Sequence, residues 1–465
     1  MLRTRTFAAY MRRKFEHHWR RLRGDGNLMQ LAKGSFASAM VKVVASAGGY
    51  VFMIFVVRTY DESVYGVLET GTTIMLITTM LAIIGLDGAI PRFVAEFRIA
   101  QRFKAIRDLL RNAMRRTVLL TSLYSAVLFL AAPWVAQFFH RPDITGVFRL
   151  MALLPMPYAL SQIFASTFRG LKQMIPLGML QSSFIPLPAT LFALLLGYFS
   201  VGPAYHVVIA YGAGVLFLML MGGYLLRGQL QKLGSGNEEL QPFGDVTKVA
   251  YPMFLSSAMG MAMLWTDTIM IGYFRDMGEV GIYRITVKVA GLLTITQFAI
   301  NSMLGPMLSE FNATRDYRAM RRVLRQIGLL NMGLSTPVFL ALMIFPEVVL
   351  GFIGEDLNEG IHVLLIMTAS QLVNVWSGPV MNVLNMTGRE VPARTVIMIA
   401  TILNIAINFA LIPKFGYLGA GIATAVSMLT WNLGGVYLVW KYYRAWTLPL
   451  LGYLTPDAYP DDENL

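Results

Sequence analysis

Apolar runs long enough to cross a lipid bilayer recur along this chain, and that recurrence leaves it few ways to fold. A hydrocarbon core of about 30 Å takes roughly 20 residues at a helical rise of about 1.5 Å. Inside it every backbone N–H and C=O needs an internal partner, which a helix supplies from its own segment. The runs fall at residues 35–57, 64–90, 117–138, 146–169, 176–199, 203–226, 249–274, 281–307, 327–346, 361–386, 392–412 and 417–440. They predict an all-α integral membrane protein of about twelve transmembrane helices. Only 14% of the residues are charged, against about 25% in soluble domains. The absence of cysteine removes disulfides, thiolate metal sites and cysteine nucleophiles together.

The net charge of +13 is unevenly placed, and its placement predicts topology rather than nucleic-acid binding. Short cytoplasmic loops keep Lys and Arg during insertion. With both termini inside, about 31 of the 39 basic residues fall in cytoplasmic segments; an odd number of spans destroys that pattern. The expected layout is a basic cytoplasmic arm over 1–34, an N-lobe over 35–226, a linker over 227–248, a C-lobe over 249–440 and a cytoplasmic tail over 441–465. The arm carries Arg3, Arg5, Arg12, Arg13, Lys14, Arg20, Arg21, Arg23 and Lys33 and has no apolar stretch of signal-peptide type. Two basic loops, Arg92 to Arg116 and Arg315 to Arg325, read as amphipathic helices lying along the inner headgroups, since Phe93, Phe97, Phe103, Ile106, Leu110 and Met114 recur opposite Arg98, Arg102, Arg111 and Arg115.

These loops also echo one another. FRIAQRFKAIR from Phe97 returns as FNATRDYRAMR from Phe311, a shift of about 214 residues. RTYDESVYG from Arg58 parallels RDMGEVGIY from Arg275, and Gly170 with Pro176 and Gly202 parallel Gly388 with Pro392 and Gly419 at a similar shift. The order of the echoes implies a duplicated unit of six spans. Because that shift spans an even number of helices, the halves point the same way, and a substrate path is expected between them.

Ionisable groups inside a span cost several kcal/mol unless paired or hydrated. The candidates for substrate binding are Lys42, Glu69, Arg149, Asp267, Arg284 and Lys288. Asp267 and Lys288 are expected at one depth, each about 10 Å from the outer end of its helix and within reach of the other. Arg284, four residues before Lys288, shares its face. Lys42 and Glu69 differ in depth by about 13 Å and cannot form a simple pair. Arg149 and Arg284, about one turn from the outer interface, can equally snorkel to it. The set has an excess of two positive charges, which suits an anionic headgroup such as a pyrophosphate. Gly48 with Gly49, Pro155 with Pro157 and Pro186 with Pro188 are expected to interrupt helices, either as hinges or as ordinary kinks.

The stretches DTIMIGY from Asp267, GEVGIY ending at Tyr283, VLNMTGRE ending at Glu390 and FGYLGAGIATAVS from Phe415 resemble the polysaccharide transporter, or Wzx-type flippase, branch of the multidrug/oligosaccharidyl-lipid/polysaccharide (MOP) superfamily. The resemblance covers nearly all of residues 30–445 and implies two six-helix lobes, V-shaped around a cationic central cavity. It implies a flippase that moves undecaprenyl-diphosphate-linked oligosaccharide repeat units across a bacterial inner membrane by alternating access, driven by an ion gradient. Lys42, Arg284 and Lys288 then hold the pyrophosphate, while Asp267 tunes them or carries a proton. Membrane lipids and a polysaccharide polymerase are the expected partners, with no resident cofactor beyond proton or sodium coupling.

The nearest rival is an ion-coupled drug or metabolite exporter of the sister branch, against which the cationic excess argues. A membrane polymerase or glycosyltransferase calls for a large outer loop or carboxylates at helix ends, and the outer loops here are short. His17, His18, His140, His206 and His362 show no ligand spacing, so no metal site or catalytic residue is expected. No phosphate-cradling glycine loop precedes a lysine, which argues against direct ATP drive. The chain reads as a transporter rather than an enzyme.

Overall fold

The computed structural model describes residues 26–197, 202–232 and 243–448, and among these it is all-helical with no strand. The first half contains α1 (Gly26–Thr59), α2 (Glu62–Ile83), α3 (Leu86–Ile99), α4 (Phe103–Phe138), α5 (Thr145–Met151), α6 (Pro155–Gly170), α7 (Met174–Met179), α8 (Pro186–Leu196) and α9 (Pro203–Lys232). The second contains α10 (Phe243–Phe274), α11 (Met277–Ala290), α12 (Ile295–Ala313), α13 (Tyr317–Ile344), α14 (Pro346–Ile353), α15 (Ile361–Ser377), α16 (Val380–Met386), α17 (Glu390–Phe415) and α18 (Tyr417–Tyr443). Most of the basic arm, part of the linker and most of the tail lie outside the described residues.

Nine helical stretches among the described residues are long and apolar enough to cross a membrane. They take nine of the expected spans; α7 with α8, α10, and α11 with α12 occupy the other three. Several spans are built in pieces, and the residue at each break explains it. Ile84 and Gly85 both adopt left-handed backbone, with φ of 45° and 75°, where α2 turns into α3. Pro155 and Pro186 open α6 and α8, at the helical position that has no intrahelical acceptor for an N–H to lose. Gly48 and Gly49, in contrast, interrupt nothing. α1 runs unbroken through them, and their missing side chains let Leu187 and Lys288 come close.

The basic amphipathic segments are helical but do not lie free along headgroups. Residues 103–116 are the first turns of the long helix α4, and Phe97, Ile106 and Leu110 are buried in one cluster with Ala159, Ile163 and Phe168 of α6. In the second half, Met320 and Leu324 of α13 pack with Val383, Leu384 and Val439. Each apolar stripe is covered by the protein itself, where burial stabilises it at roughly 25 cal/mol per Å².

The sequence echo is a structural repeat. Asp61 caps α2 by accepting the Val64 N–H at 2.6 Å, and Asp276 caps α11 by accepting the Glu279 N–H at 2.9 Å. Gln101 and Arg315 both turn left-handed, at φ of 56° and 54°, one residue before the N-caps of α4 and α13. The halves meet nearer the basic loops, where a Cβ on Gly85 would lie 2.0 Å from the Ala250 carbonyl oxygen, and again on the face opposite those loops, here called the far face. There α2 and α11 cross at two glycines in equivalent positions. A Cβ on Gly66 would lie 1.8 Å from the Met277 carbonyl oxygen, and one on Gly281 would lie 1.9 Å from that of Glu62. Two flanking contacts obey the same symmetry. Tyr273 stacks on Phe138 with centroids 4.5 Å apart, while the Arg58 guanidinium lies 4.8 Å from the Phe352 ring centroid and its Nε donates to the Phe352 carbonyl at 2.9 Å.

This crossing has no room for a methyl group. Gly66→Ala is expected to destabilise the protein by about 1–3 kcal/mol, the usual cost of overpacking. Gly228→Ala, where a Cβ meets nothing within 4 Å, should be neutral. Thermal unfolding of the two variants in detergent checks the difference.

Candidate functional site

Directly beneath the glycine crossing, charged side chains from both halves converge. Tyr65 and Glu69 are four residues apart on α2, and Arg284 and Lys288 four apart on α11, so each pair shares a helix face. Arg284 places its Nη2 at 2.7 Å and its Nε at 2.9 Å from Glu69 Oε2. The other carboxylate oxygen accepts the Tyr65 hydroxyl at 2.7 Å. Lys288 extends its ammonium to the Gly49 carbonyl at 3.0 Å and to the Tyr65 hydroxyl at 3.3 Å, between the rings of Tyr50 and Tyr65. Tyr50 donates in turn to the Lys288 carbonyl at 2.8 Å, which ties α1 to the cluster.

Two features of this arrangement matter chemically. Glu69 and Arg284 lie 215 residues apart, the register of the repeat, so one position carries an anion in the first half and a cation in the second. The pair therefore joins the halves where they are symmetric. Lys288, by contrast, makes no ion pair among the described residues and rests on neutral oxygens. The cluster has one carboxylate for two cations. Arg284 keeps 31% of its side-chain surface and Glu69 16%.

Asp267 does not join this cluster, contrary to the expected contact with Lys288. It is 4% exposed and sits in a polar nest of the second half. Oδ2 accepts the hydroxyls of Tyr283 and Thr424, each at 2.6 Å, and Oδ1 accepts the Asn408 amide at 2.5 Å. Asn404 accepts a second bond from the Asn408 amide at 3.1 Å, while Asn408 Oδ1 is buried with no partner among the described residues. Depth and rotation both separate them: Asp267 lies seven residues from the end of α10 and Lys288 eleven from the start of α11. Tyr283 and Arg284 are consecutive, about 100° apart around α11, so one turns to Asp267 and the other to Glu69.

The remaining expected residues are placed differently. Lys42 is half-buried on α1, seven residues before Gly49 and hence on the same face about 10 Å nearer the basic loops. Arg149 is exposed on α5 with its guanidinium 5.6 Å from the Phe129 ring centroid, outside the cluster. The polar residues that hydropathy passes over are Tyr50, Tyr65, Tyr283, Asn404, Asn408 and Thr424. Asn404 and Asn408, four apart in an otherwise apolar run, are the legible sign of the Asp267 nest.

Residues 31–312, more than half of the chain, match the family model described as "Polysaccharide biosynthesis protein". The chain belongs to that family, within the MOP superfamily. Residues 252–410 also match the MatE model. A probable flippase, AglR of Haloferax volcanii, is 31% identical over 194 residues, 40% of this chain and 39% of the relative. The chain thus spans about two-fifths of the length of that curated relative. The structure superposes on a solved structure of the lipid II flippase MurJ, inward closed, with a TM-score of 0.67 at 11% identity, covering 89% of this chain and 91% of that one. An inward-facing multidrug resistance MATE transporter of the MOP superfamily gives 0.65 at 11% identity, covering 90% and 97%. The fold is accordingly the twelve-helix, two-lobe fold of this superfamily, in a multi-pass membrane protein.

Because the Glu69–Arg284 contact is direct and partly screened, its coupling is expected at about 1–3 kcal/mol. A double-mutant cycle of Glu69→Gln and Arg284→Gln, read by thermal unfolding, checks this. Additive single effects would show that the contact contributes nothing.

Proposed function

We propose that this protein flips undecaprenyl-diphosphate-linked oligosaccharide repeat units across a cytoplasmic membrane by alternating access, for surface polysaccharide assembly. The observation that carries the reading is Lys288, an ammonium between the lobes with no carboxylate of its own, one helical turn from Arg284. Ammonium and guanidinium groups hold phosphate oxygens through charge-assisted hydrogen bonds. Lys42, on the same stripe of α1 nearer the basic loops, extends a cationic path toward that face. The basic loops support a cytoplasmic side for that face and both termini, which makes the far face the outer one in this reading. The membrane is a bacterial inner membrane on the resemblance in the sequence; the archaeal relative AglR fits the broader description of a cytoplasmic membrane. The polyprenyl tail stays in lipid while its diphosphate and glycan pass between the lobes. A polysaccharide polymerase is the partner that would consume the flipped unit.

Asp267 supplies the coupling in this reading. It takes up and releases a proton or a sodium ion, and the oxygens of Asp267, Asn408 and Thr424 would hold such a cation. Since Tyr283 and Arg284 are neighbours on α11, a change of charge at Asp267 moves the helix that carries the cationic pair. A drug exporter needs a surplus of anions in the same space, which one carboxylate beside two cations does not provide.

Proteoliposomes loaded with a fluorescent polyprenyl-diphosphate oligosaccharide test the reading. Lys288→Ala, at normal expression, is expected to slow translocation roughly tenfold, the worth of one charge-assisted hydrogen bond; an unchanged rate removes Lys288 from the site. Asp267→Asn is expected to leave residual transport that no longer responds to an imposed proton or sodium gradient. A full gradient response in that variant would remove Asp267 from the coupling.

A further inference from the structure

Glu69 occupies the place that an anionic cargo needs. Both Arg284 nitrogens that reach it, Nε and Nη2, converge on one carboxylate oxygen, at 2.9 and 2.7 Å, and the Tyr65 hydroxyl saturates the other. The same hydroxyl accepts from Lys288 at 3.3 Å, so that phenol links Lys288 to the Glu69–Arg284 pair. Among the described residues, Glu69–Arg284 is the ion pair that joins the two halves. It sits one turn beneath Gly66, where the halves touch backbone to backbone.

We propose that Glu69 is a built-in competitor of the cargo's diphosphate, and that its displacement from Arg284 unlatches the outer face. The proposal rests on the flippase reading above and assigns Glu69 a role in selectivity and timing. A diphosphate arriving from the basic side passes Lys42 and meets Lys288, which makes no ion pair among the described residues, before it reaches Arg284. To engage Arg284 as well it must replace a carboxylate that is already in place and covalently tethered, which gives that carboxylate the advantage of a high effective concentration. A single carboxylate or a weakly charged headgroup has no gain to offer over it. A group with several anionic oxygens, able to span Lys288 and Arg284 together, does. Once Glu69 is released, α2 and α11 lose the polar tie beneath their crossing, and the far face opens only with cargo bound. An empty protein stays latched by its own anion, which prevents futile opening.

The chain has no cysteine, so paired spin labels can be introduced without a cysteine-free background. Thr59→Cys and Lys414→Cys place labels on exposed residues of opposite lobes at the far face. Pulsed electron-spin distances are measured in lipid nanodiscs, with farnesyl diphosphate as the probe and farnesol as the uncharged control. The latched protein is expected to give one short distance. Glu69→Gln, and separately farnesyl diphosphate on the otherwise native protein, should each raise the population of a longer distance by about fivefold or more. Farnesol should not. The charge-exchanged pair Glu69→Arg with Arg284→Glu should restore the short distance, which separates loss of the latch from misfolding. Lys288→Gln, with the latch intact, should abolish the response to farnesyl diphosphate. An unchanged distance in Glu69→Gln overturns the latch. Opening in Glu69→Gln together with bound farnesyl diphosphate that leaves the native distance unchanged overturns the competition. If radiolabelled farnesyl diphosphate fails to bind at all while Glu69→Gln still opens, the diphosphate reading of the site fails, and the competition falls with it.

Discussion

Two helices from opposite halves approach until backbone touches backbone at Gly66 and Gly281, and the rest of the site is set by that closeness. Helices separated by side chains of ordinary size pack about 8–10 Å apart; here the glycines bring the backbones closer, and Arg284 meets Glu69 at that seam, one turn below Gly66. The glycines bring α2 and α11 together, the Asp61 and Asp276 caps fix where each helix begins, and the ionic residues follow two turns later on both. A duplicated unit makes this contact lie on its own symmetry axis. What breaks the symmetry is chemistry: an anion in one half faces a cation in the other, so the halves attract where identical charges would repel.

α11 carries a second consequence. Its face toward the first half bears Arg284 and Lys288, and its face toward α10 and α18 bears Tyr283, which donates to Asp267 and meets Thr424. Two polar centres are thus attached to one helix of fourteen residues that passes through a turn of 3₁₀ helix, Gly291–Thr294, into α12. A rotation or shift of α11 changes both centres together. In the proposed function, coupling between a driving cation and a cargo takes that physical form, two sites biasing one movable element.

Much of the fold is legible in the sequence because hydrocarbon leaves a chain so few choices. Run length and the placement of Lys and Arg lead to the spans, and the FRIAQRFKAIR and FNATRDYRAMR echo leads to the repeat that the Gln101 and Arg315 turns make visible in the backbone. In the candidate cluster, Glu69, Arg284 and Lys288 are legible as charges inside spans but not as partners, and Arg149 and Asp267 fall outside it. Counting depth along helices assigns each charge a height in the membrane but says nothing of rotation, so Asp267 and Lys288 appear paired although they face different neighbours. A boundary error also hid the true pair. α11 begins at Met277 rather than at residue 281, which moves Arg284 from one turn inside the helix to two, level with Glu69. The glycines at 48 and 49 look like breaks from composition alone, yet in a long helix with close neighbours they are contact surfaces. Asn404, Asn408 and Thr424 escape notice because uncharged polar residues are cheap in an apolar run, and their importance appears only when a buried carboxylate is found among them.

In the proposed function the cationic pair between the lobes receives a diphosphate. An electron cryomicroscopy reconstruction of the protein with a non-hydrolysable polyprenyl diphosphate in lipid would test it most directly. The account predicts phosphate density within about 3 Å of Lys288 Nζ, with its tail leaving between the lobes. Phosphate density elsewhere, with Lys288 still on the Gly49 carbonyl and Glu69 still on Arg284, would contradict it.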